Sequence, residues 1–133
     1  MTMRIQPNSL ARIAVRSLMG LLFAVTGLNG FLMFLPPPSG PMPAGAAALG
    51  LALMQSGYLL QLVAGTQLVA GLLLLTNRFV PLALALIAPV IVNIFLFHAF
   101  LAPSGLVLAS ALVAAELYLA WSYRDAFRPM LTA

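Results

Sequence analysis

The sequence predicts an all-α, four-transmembrane-helix bundle with both termini on one side, and three observations carry that expectation. Hydrophobic residues fill 63% of the 133 positions and charged residues 6%, with a mean hydropathy of +1.10; a soluble domain carries about a quarter charged residues. The apolar residues fall into long runs separated by Pro, Gly and Asn punctuation. All six basic residues are arginines, and they stand at the ends of those runs instead of along one face.

One domain, residues 1–133, accommodates spans at about 10–35, 58–75, 79–101 and 106–123. Pro7-Asn8-Ser9 offers a helix start with Asn8 or Ser9 as cap, and Arg12 and Arg16 then fall in the first turns, at the membrane edge. A signal peptide is the competing reading, with Ala44-Gly45-Ala46 as its cleavage site. The apolar run is too long for one, and a proline cluster intervenes. Ser17, Gly20, Ala24 and Gly27 recur at three- and four-residue steps, a stripe that lets a neighbouring backbone approach. The prolines of residues 36–43 exclude helix and make a stiff, uncharged loop.

Residues 44–56 form a helical pattern too short to span, an interfacial or re-entrant piece closed by Gly57. Tyr58 anchors the second span, in which Ala64, Gln67 and Gly71 share a face, and Thr76-Asn77-Arg78 turns the chain. The stretch 79–101 rises roughly 34 Å, enough to cross a ~30 Å hydrocarbon core. Its internal Pro89 frees the carbonyl of Ala85 and is expected to kink the helix. Ala102-Pro103-Ser104-Gly105 turns into the fourth span, with Glu116 near its middle and Trp121 and Tyr123 at its far end.

The arginines set orientation. Arg4, Arg12 and Arg16 open span one, Arg78 lies between spans two and three, and Arg124 and Arg128 follow span four, while the other two connections are uncharged. The positive-inside rule then places both termini in the cytoplasm and the proline loop outside. With no cysteine, thiol-disulfide exchange, iron-sulfur clusters and thiolate metal sites are excluded. One histidine and two acidic residues give no metal set, and scattered arginines give no nucleic-acid patch.

In that topology Gln61 and His98 lie roughly 5 Å below the outer surface, Asn29 about 9 Å, and Gln67, Asn93 and Glu116 about 12 to 16 Å. All four helices thus contribute to one polar layer in the outer half of the bilayer. A mid-membrane carboxylate at Glu116 costs several kcal/mol unless it is protonated or hydrogen-bonded. Two alternatives stand: a pocket that admits a ligand or proton, or interhelical glue worth about 1 kcal/mol or less per group. His98 is 140° round from Asn93 and suits a hydrogen-bonding or pH-sensitive role near the outer mouth.

The runs GLLFAVTGLNGF (residues 20–31), GTQLVAGLLLL (65–75), RFVPLALALIAPVIVNIFLFHAFL (78–101) and AELYLAWSYRDAFRPML (115–131) resemble the DoxX family over most of the chain. The resemblance implies a four-helix protein of the bacterial inner membrane, linked in that family to quinone-reactive oxidoreductases and oxidative-stress complexes. Wider relatives look like assembly factors or cargo receptors. Asn29, Gln67, Asn93, His98 and Glu116 fall in the matching segments and are the expected ligand-binding residues. The expectation is a small accessory subunit that binds a quinone or other hydrophobic molecule, with a non-catalytic scaffold or assembly factor as the alternative. Whether the chain catalyses anything itself is open; no cofactor is required, and a quinone is the one the resemblance allows. Lipid, a membrane-complex partner or a second copy are the expected neighbours.

Overall fold

The computed structural model describes the backbone of residues 7–133 and the side chains from Ser9 onward; the polar lead with Arg4, and the side chain of Asn8, lie outside the described residues. Among the described residues six α-helices follow in order: α1 (Pro7–Leu32), α2 (Ala44–Gln55), α3 (Leu59–Leu75), α4 (Val80–Phe100), α5 (Leu106–Ser122) and a short α6 (Arg124–Phe127). Helix α1 is already helical at Pro7, the first described residue, so the expected cap at Asn8 or Ser9 falls inside it. Among the described residues three helices are long and apolar enough to cross a membrane, or up to four crossings if α2 and α3, bent by 92° at their junction, count as one span.

The closest packing joins α1 to α3, in antiparallel register, and glycine makes it possible. A Cβ on Gly20 would sit 2.9 Å from the backbone nitrogen of Leu75, and one on Gly71 would sit 2.8 Å from Cα of Ala24. The small-residue stripe of α1 is therefore filled by a neighbour within the same chain, and its partner stripe is Ala64, Leu68 and Gly71 of α3. Helix α4 packs between α3 and α5, while α5 touches α1 more loosely. The core along these contacts is apolar, centred on Phe23, Leu74, Leu84, Ile87, Ile91 and Leu119.

The turns have local causes. At the α3 end, Asn77 adopts a left-handed φ of 54°, Arg78 N–H donates to Leu73 O at 3.0 Å and Asn77 N–H to Leu74 O at 3.4 Å. That is a Schellman cap with asparagine in place of glycine. At the α2–α3 corner Gly57 has φ 80°, and the Ser56 hydroxyl accepts the N–H of Leu59 at 2.9 Å, so one serine closes both helices. Gly45 lets α2 down onto the C-terminal end of α4, where a Cβ would meet Leu101 Cδ2 at 2.9 Å. Pro89 lies on the exposed side of an α4 that runs unbroken from Val80 to Phe100.

Candidate functional site

The five expected ligand residues have different surroundings. Asn29 sits in the last turn of α1, and its Oδ1 accepts the N–H of Leu35 at 2.8 Å, which ties down the start of the proline loop. His98 stands in the last turn of α4. A carbonyl can only accept, so Nδ1–H donates to Ala102 O, 2.9 Å away. The imidazole lies edge-on to Phe97, with ring centroids 5.1 Å apart, and over Gly105, the one position in that turn where a side chain would collide with it. Histidine and glycine together close the α4–α5 turn.

Gln67 is half-buried on α3, Gln61 is exposed, and Asn93 is exposed on α4. Two residues before Asn93, Ile91 is buried in the core; two helical positions are about 200°, so the amide points away from the bundle. Glu116 occupies the core-facing line of α5 between buried Leu112 and Leu119. Its Oε2 is buried and has no hydrogen-bond partner among the described residues. Asn93 and Glu116 thus face different directions, with Leu84, Ile87, Ile91 and Leu112 packed in the interior. No group of three metal-binding side chains exists among the described residues.

The concavity nearest to a site lies under the proline loop. It holds about 200 Å³ and is walled by Pro38, Met42, Ala46, Phe97, His98 and Ser104. Two further grooves open sideways. One, between α3 and α4, has Gln61 and Thr66 at its rim; the other, between α1 and α5, is walled by Leu18, Leu22, Leu108 and Ala111. None of the three is lined by Asn29, Gln67, Asn93 or Glu116.

One polar contact was not anticipated from the sequence. Arg16, expected at the membrane edge, is buried at 8% exposure, and its Nη1 donates to the carbonyl of Leu74. Leu74 lies in the last turn of α3, where carbonyls lack helical donors and the helix dipole favours a cation. The signal was available: Arg16 is four residues before Gly20, and so on the stripe that faces α3. Outside that, Arg12 stacks over the Tyr123 ring at 5.3 Å and Arg124 over the Trp121 ring at 4.9 Å, and Arg128 pairs with Asp125 at 3.4 Å in full exposure. No family model, curated protein or solved structure matches this chain.

Proposed function

We propose that the chain is a DoxX-like protein of the bacterial inner membrane that crosses it four times, with both termini in the cytoplasm, and serves as a non-catalytic scaffold or accessory subunit of a membrane complex. The α2–α3 corner supplies the fourth crossing, with α2 lying near the outer interface. The observation that carries the role is the direction of the polar groups. Asn29 and His98 are engaged by the backbone of the fold and Asn93 turns outward, while Glu116 faces a core that is otherwise aliphatic and aromatic. Reaction chemistry needs groups held within hydrogen-bond reach of a common point; partner binding needs them outside.

The experiment is affinity purification of the tagged full chain from its own membranes in mild detergent, as wild type and as Glu116→Gln. A membrane complex should come down in fixed ratio with both. A chain that purifies alone, or carries a quinone-dependent activity by itself that Glu116→Gln abolishes, overturns the scaffold role.

The cavity under the proline loop favours a second reading, in which the subunit holds the ring of a quinone or similar hydrophobic molecule against His98 at the outer surface. Adding a quinone to the purified chain should then raise its melting temperature; an unchanged melting curve removes that role.

A further inference from the structure

Helix α4 carries two opposed seams. Val80, Leu84, Ile87, Ile91, Ile94 and His98 advance by alternating steps of four and three residues and turn towards the other helices, the first four fully buried. Two positions further on, about 200° round, Leu82, Leu86, Pro89, Asn93, Leu96 and Phe100 repeat the same steps, and all are exposed. Alternating fours and threes are the a and d positions of a heptad, the spacing at which two helices mesh along their length. Asn93 takes an a position, where a single asparagine fixes register and pairing in two-stranded coils. A second polar atom lies on the same side: Pro89 has no N–H, so the carbonyl of exposed Ala85 loses its helical donor. At this depth in hydrocarbon neither group can turn to water.

We propose that this outer seam is a homodimer interface, in which α4 of a second copy packs alongside and the two Asn93 amides hydrogen-bond to each other across a two-fold axis along the membrane normal. Every copy of the chain inserts in one orientation, so its partner's amide arrives at the same depth without further adjustment. An amide both donates and accepts, so two of them satisfy each other about that axis. Leu86 and Leu96, 38% and 45% exposed, bracket the pair with apolar contact, and Phe100, 79% exposed, extends it to the outer end. The inference needs α4 to cross the membrane and is independent of any accessory role, so loss of the complex and loss of the dimer are separate results.

The chain has no cysteine, so single cysteines report cleanly. In lipid, Leu86→Cys and Leu96→Cys should oxidise to covalent dimers, while Val107→Cys, on α5 and 85% exposed, should stay monomeric. Adding Asn93→Leu should weaken dimerisation roughly three- to thirtyfold, the range of interhelical hydrogen bonds in membranes, and Asn93→Gln should retain most of it. Equal cross-linking at all three positions, none at the seam, cross-links only to a different protein, or an undiminished dimer in Asn93→Leu would each overturn the proposal.

Discussion

Gly71→Ala should destabilise the protein by about 1 to 3 kcal/mol, and Gly71→Leu by more, the cost of forcing atoms into a packed contact. A Cβ at position 71 meets the backbone of α1, at Ala24 Cα and Gly20 O, both 2.8 Å away, and a backbone cannot move aside as a rotamer can. The whole α1–α3 contact must widen, and with it the contacts at Gly20 and Gly27. Gly65 provides the internal control, because it lies in the same helix and a Cβ there would meet only Phe31 Cζ at 3.8 Å. Gly65→Ala should be neutral or stabilising by up to about 1 kcal/mol through helix propensity. Unfolding in mixed micelles compares the two. Equal shifts would mean that the close approach of α1 and α3 contributes nothing.

Arg16→Met should lower stability by about 1.5 to 3 kcal/mol, the range for hydrogen bonds to a charged group. The substitution keeps the unbranched apolar stem and removes the guanidinium, which leaves the C-terminal carbonyls of α3 with their own cap alone. Arg16→Lys should recover only part of the loss, since an ammonium lacks the planar fork and the reach. Desolvation works in the opposite direction, because a buried cation is expensive to hold. A rise in stability for Arg16→Met in the same unfolding assay would show that this cost exceeds the cap and the dipole together.

Element positions were legible because their punctuation is chemical. Proline in residues 36–43, Gly57, Asn77 and the Pro103-Ser104-Gly105 turn fix the helix ends within about three residues of expectation. The small-residue stripe of α1 was legible for the same reason, since only glycine and alanine permit backbone contact, although its partner is α3 and no surface is left there for another protein. Azimuth was not legible. In water an apolar stripe marks the buried face, but in lipid both faces of a helix are apolar, so nothing around Asn93 distinguished core from membrane. Depth below the outer surface therefore grouped Asn93 with Glu116, and direction separated them. The burial of Arg16 was missed because counting turns from the helix start gives a height along α1 and not the neighbour at that height, whereas α3 ends opposite Arg16.

The right-angled corner at Ser56-Gly57-Tyr58 has a mechanical consequence for the surrounding lipid. Helix α3 has 17 residues and so rises only about 26 Å, short of a ~30 Å acyl layer, while α4, with 21 residues, exceeds it at about 32 Å. On the four-span topology, acyl chains beside α3 must shorten and those beside α4 need not, which gives the annulus a thin flank and a thick one. Mismatch of that kind biases where a small membrane protein settles, towards thinner patches on one side and towards company on the other.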